Sequence, residues 1–102
     1  MKIDIDESGH ISVQERRKLN DLHVSAPRSM PFDTIDSSLR SVGGGWTRDQ
    51  HVWLQIAWLR EHGYPDDPSW SSEFDLMIKY AADHGWLDGS SKQVRAHVQR
   101  TD

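Results

Sequence analysis

Six histidines, sixteen acidic side chains and no cysteine define the chemistry open to this 102-residue chain. Without a thiol there is no disulfide scaffold, no thiolate zinc site and no Cys nucleophile. A metal site would have to come from imidazole and carboxylate, and the spacing His62…Asp66 does repeat as His84…Asp88. Each of these histidines directly precedes a glycine at the end of an expected helix, where the helix dipole favours partial positive charge. Helix ends therefore account for both, and mixed His/Asp spacing of this kind is not specific for a metal. No metal and no cofactor are expected. Serines are plentiful, but no nucleophile elbow surrounds any of them. Gly43-Gly44-Gly45-Trp46 lacks the Lys-Ser/Thr that a phosphate-binding loop needs. Asp66-Asp67 stands in a Pro-bounded turn, the ordinary place for solvated acids. The expectation is a chain without catalytic function.

Binding is the remaining chemistry, and three groups of residues could carry it. From Gly89 to Thr101 the charged residues are Lys92, Arg95 and Arg100, a local excess of cations in a chain with 12 Lys+Arg, 16 Asp+Glu and a net charge of −4. Placed on a helix, Lys92, Arg95 and Gln99 share an outer face opposite Val94 and Val98. Such a face suits phosphate oxygens and base edges, although any helix C-terminus also favours cations. Trp58 is the second candidate. On a helix it lies with Leu54 nearly opposite Val52, Ile56 and Leu59, so either the helix is wrapped on all sides or Trp58 anchors a partner. Third, Asp66 and Asp67, with Asp75 and Asp83, offer an acidic surface to a basic protein.

The elements that must position these residues follow from periodicity. Ile3 and Ile5, then Ile11 and Val13, alternate with polar residues, which is the period of a half-buried strand. Pairing Ile5 with Ile11 and Ile3 with Val13 makes a hairpin, and Gly9 suits the left-handed position of its loop. Gln14–Leu22, with Arg16, Arg17 and Lys18, reads as a short helix. Asp33 could cap another carrying Ile35, Leu39 and Val42, ended by Gly43. Thr47-Arg48-Asp49-Gln50 has the capping-box pattern and would open a helix to about His62. A helix to about His84 starts either near Asp67-Pro68, a favoured entry, or at Ser71/Ser72, with Phe74, Met77, Ile78 and Ala81 on one face. Ser90-Ser91-Lys92-Gln93 resembles a second capping box, opening a last helix to about Arg100.

Trp46-Thr47, His51, Leu54 and Gly63 resemble the first helix of Myb/SANT-type domains. Gln93-Val94-Arg95-Ala96-His97-Val98-Gln99-Arg100 is similar to the third helix of that family. Over residues 46–100 the resemblance implies a tri-helical, homeodomain-like unit with Trp46, Trp70, Val94 and Val98 in its core. It also implies Lys92, Arg95 and Gln99 as contacts in the DNA major groove.

The chain length suits a single domain over 1–102. The fold expected is mainly α within an α+β framework. Its N-terminal β-hairpin, with short helices and a linker over 1–45, would pack on a Trp-rich three- to five-helix domain, of which 46–102 forms the tri-helical unit. The charged N-terminus and the lack of a long apolar run point to a soluble, cytoplasmic chain with no membrane partner. Two functions remain open. One is a small acidic, non-enzymatic interaction protein that masks or inhibits a protein partner with a basic surface, as phage-encoded antagonists of host defence do. The other is a Myb/SANT-like regulator that binds duplex nucleic acid through Lys92, Arg95, Gln99 and Arg100.

Overall fold

In the computed structural model, which describes residues 1–101, the chain opens with the hairpin its alternation implies. Strands β1 (Lys2–Ile5) and β2 (Ile11–Gln14) pair antiparallel, Ile3 opposite Val13 and Ile5 opposite Ile11. Gly9 takes φ 86° in the loop, and the Asp6 carboxylate accepts the N–H groups of Ser8 and His10. A two-stranded hairpin is marginal alone. This one is completed by more sheet and not by a helical unit.

β1 pairs parallel with β3 (His23–Pro27), and β3 pairs parallel with β6 (Gln93–Thr101). β6 then pairs antiparallel with β5 (His51–Gln55), which forms a second hairpin with β4 (Gly45–Arg48). The result is one six-stranded, curled mixed sheet in the order β2-β1-β3-β6-β5-β4. Among the described residues three helices accompany it: α1 (Phe32–Ser41), α2 (Ile56–Glu61) and α3 (Pro68–Asp83). The fold is therefore α+β with the sheet dominant. The mainly α expectation and the Myb/SANT resemblance over 46–100 are both overturned.

Each misread helix has a local cause. Val94 and Val98 are four residues apart, a spacing shared by one helix face and one strand face. Ala96 between them completes a period-2 pattern, and all three apolar residues alternate with Gln93, Arg95, His97 and Gln99 along β6. Lys92, Arg95 and Gln99 consequently never gather on one helical face. The Ser90–Gln93 capping box is a loop organised by Asp88, whose carboxylate accepts from the N–H groups of Lys92 and Gln93 at 3.0 and 2.9 Å and from the Ser90 hydroxyl at 2.5 Å. Side-chain-to-backbone bonding of this kind competes directly with helix formation. At Thr47–Gln50 the supposed cap is the end of β4 and a two-residue turn, Asp49 and Gln50 both having positive φ (54° and 65°). That is the backbone of a tight hairpin turn, usually marked by Asn-Gly. Here the marker residues are missing, so the hairpin is hidden in the sequence.

The Gln14–Leu22 helix is absent as well. Gln14 ends β2, Glu15 turns at φ 51°, and Lys18 N–H bonds the Glu15 carbonyl. Carbonyls of this stretch serve long-range partners. Arg16 accepts the Trp70 indole N–H at 2.7 Å, and the Met1 amino group donates to the carbonyls of Lys18 and Asp21. By contrast, α3 starts at the first of the two expected places: the Asp67 carboxylate caps Ser69 and Trp70 N–H, with Pro68 at the first turn. α1 buries Ile35 and Leu39, but its N-cap is Pro31, without a side-chain cap bond, and Val42 at its C-cap is exposed. One core joins Ile3, Ile5, Val24, Val52, Leu54 and Val94 of the sheet to Leu39 of α1, Leu59 of α2, and Trp70 and Phe74 of α3.

Candidate functional site

The residues singled out for binding are dispersed. Lys92 is exposed in the loop before β6. Arg95 and Gln99 share a sheet face by alternation, whereas Arg100 falls on the other parity. Its guanidinium donates to the carbonyls of Pro27 and Met30 at 2.9 and 2.7 Å and lies over the Phe32 ring, so Arg100 holds the end of β6 in place. Trp58 is 8% exposed, stacks on His62 with ring centroids 4.4 Å apart, and lies close over Gly44. It is part of the core and not a projecting anchor. Asp66 is exposed. Asp67 caps α3 and pairs with Arg17 at 3.2 Å; the Trp70 N–H, followed by Arg17 and Ser69, holds its carboxyl below the ordinary range. Asp75 likewise pairs with Arg60 at 2.6 Å. Two of the four acids expected to attract a basic partner are thus compensated within the chain.

His62 and His84 occupy the C-cap positions of α2 and α3. Their Nδ1 atoms lie 2.9 and 2.8 Å from the carbonyls of Trp58 and Tyr80, four residues back. Gly85, at φ 73°, turns the chain so that Trp86 returns to the last turn of α3. There Tyr80, His84 and Trp86 form an aromatic cluster, with His84 4.1 Å from Tyr80 and 4.8 Å from Trp86 between ring centroids. The Trp86 carbonyl accepts the Arg95 N–H at 2.8 Å, fastening this cluster to β6.

Beside that cluster is a groove of about 1060 Å³. It lies where β6 changes partners, from β5 (through 93–96) to β3 (through 97–101). Leu22, Leu76, Met77, Tyr80 and Trp86 give it apolar walls, while Arg17, Asp21, His51, Glu73, Arg95 and His97 supply its polar groups. Leu76 and Tyr80, 67% and 58% exposed, are the most exposed large hydrophobic side chains among the described residues. Monomeric surfaces scatter single apolar residues freely, whereas apolar residues gathered in a polar-rimmed groove mark binding.

At one end of the groove Asp21, His23 and His97 bring one potential ligand atom each within 4.8 Å of one another. Cross-strand pairing makes this group: His23 and His97 are directly registered partners on β3 and β6. Sequence reasoning overlooked these three residues together with Leu76 and Tyr80. The alternation of Val94, Ala96 and Val98 was the available signal, because it places His97 on a strand; its pairing with His23 leaves no local trace.

No family model, curated protein or solved structure matches this chain. Neither the fold nor these comparisons lend anything to a phage, inhibitor or DNA-binding assignment. The nucleic-acid reading loses its recognition element, since the last helix it required is strand β6. Among the described residues no helix is long and apolar enough to cross a membrane.

Proposed function

We propose that this is a non-enzymatic interaction protein that binds a partner protein through the groove between α3 and β6. The observation that carries the reading is the exposure of Leu76 and Tyr80 on the groove wall, beside Met77 and Trp86. Tyr, with Trp and Arg, is enriched among the residues that dominate interface energy. The fitting occupant is a short amphipathic segment, its apolar side chains against Leu76, Tyr80 and Trp86 and its polar groups meeting Arg95 and Glu73. Both signs of charge line the groove, so register and orientation would be selected more than net charge.

The test compares wild-type protein with a Leu76→Glu/Tyr80→Glu double variant. Both positions are exposed, so melting temperature should change little. Affinity capture from the native host after nuclease treatment should recover a protein with wild type and lose it with the variant. A partner retained by the variant, or one released by nuclease, would overturn the assignment.

A further inference from the structure

We propose that Asp21, His23 and His97 form a binding site for a zinc-class divalent metal ion at the end of the groove, with one coordination position open to solvent.

The donor types suit such an ion. Imidazole nitrogens and a carboxylate oxygen bind zinc at about 2.0–2.2 Å, and three protein ligands with an open fourth position make a recurring site. The spacing also suits it. His23 Nδ1 lies 3.5 Å from Asp21 Oδ1 and 3.3 Å from the Asp21 carbonyl oxygen. Both exceed the ~2.7–3.2 Å of a well-formed N–H···O bond. Two donors on one tetrahedral zinc ion are separated by roughly 3.3–3.5 Å, given bonds of ~2.1 Å. His97 completes the group, its ring stacked near His23 at a centroid distance of 5.5 Å and an interplanar angle of 18°. All three donor atoms fall within 4.8 Å of one another, and closing them onto one ion requires the exposed His97 ring to turn out of its stacked plane toward the other two.

The setting distinguishes this group from a surface accumulation of acids. His23 is 5% exposed on a strand paired on both sides, which fixes its position. His97 is exposed and Asp21 half-buried, and both line the groove. The site is thus rigid on its inner side and accessible on its outer one. Continuing the β5–β6 register one step past Val52 opposite Ala96 places His51 next to His97, adding an outer polar neighbour. A bound ion would tie the segment before β3 to β6, bracing one end of the groove.

The ion should be of the zinc class and not magnesium. Mg²⁺ demands octahedral oxygen ligands and keeps its water, whereas imidazole suits Zn²⁺, Co²⁺, Ni²⁺ and Cu²⁺. The experiment titrates the full chain with Zn²⁺ by calorimetry and with Co²⁺ by visible absorption, using Mg²⁺ as the control ion. His97→Ala and Asp21→Asn are the test variants, because neither side chain is fully buried; His10→Ala in the β1–β2 loop is the control. Circular dichroism checks that each variant folds. Wild type and His10→Ala should bind one Zn²⁺ with a raised melting temperature, show an intensified Co²⁺ spectrum and ignore Mg²⁺. Each test variant should bind at least ~10-fold more weakly, since even residues behind the ligands contribute that much. Absence of saturable Zn²⁺ binding, or equal binding by wild type and both test variants, would overturn the proposal.

Discussion

Gly63 lies against the indole of Trp70 so closely that a Cβ on Gly63 would fall 2.0 Å from Cζ2 and 2.1 Å from Cη2 of the ring. The same ring stacks on Phe74 at 5.0 Å and donates to the Arg16 carbonyl. Trp70 therefore links α3, the end of α2 and the segment leading to Asp21. Gly63→Ala should destabilise the protein by about 3 kcal/mol, the upper part of the range for overpacking, because a stacked ring cannot retreat. Gly85 stands at the equivalent point after α3, yet its Cβ would meet nothing within 4 Å. Gly85→Ala should cost only ~1–2 kcal/mol, for the left-handed backbone alone. Urea unfolding of the two variants tests that ranking, and equal losses would contradict it.

The turn between β4 and β5 carries avoidable strain. Gln50 has φ 65° in a two-residue turn where glycine is favoured. Gln50→Gly should stabilise the fold by about 0.5–1 kcal/mol, after the added chain entropy offsets part of the relief. An upward shift of the urea midpoint with an unchanged m-value is the expected result.

Trp58 packs within the core near Gly44 and His62. Trp58→Ala should cost ~3–5 kcal/mol as a core truncation. A variant that kept its melting temperature would show that Trp58 is not held as described.

Acid sensitivity should be concentrated at low pH. The Asp88 carboxyl is held below its ordinary 3.8 chiefly by the Ser90 hydroxyl, and Asp6 chiefly by that of Ser8. For Asp36, partial burial pushes upward, but hydrogen bonds from Thr47 N–H and the Arg40 guanidinium outweigh it. Asp67 is lowered as well, by its cap bonds and Arg17. A carboxyl with a depressed folded pKa contributes stability above its unfolded value and loses it as pH falls through the folded one. Unfolding midpoints should therefore respond little to these groups between pH 5 and 7 and fall from about pH 4 downward. Asp88→Asn should flatten that fall; an unchanged profile would remove Asp88 from the account.

Local sequence determined the elements whose contacts are near in the chain. The β1–β2 register follows from four alternating aliphatic residues and a three-residue loop ending at Gly9. The start of α3 follows from Asp67 and Pro68, which satisfy and tolerate the open N–H groups of its first turn. For β5 and β6 the sequence was ambiguous. Val52 and Ile56, like Val94 and Val98, stand four apart and fit a helix face. In the fold, Val52 and Val98 are strand residues, whereas Ile56 begins α2. Tertiary structure decided the matter, because β6 gains ladder hydrogen bonds from β5 over 93–96 and from β3 over 97–101, an advantage that no window of local residues displays. The groove and the Asp21–His23–His97 group depend on that same choice. A parallel ladder brings His23 to His97 across most of the chain's length, and only the assembled sheet makes them neighbours.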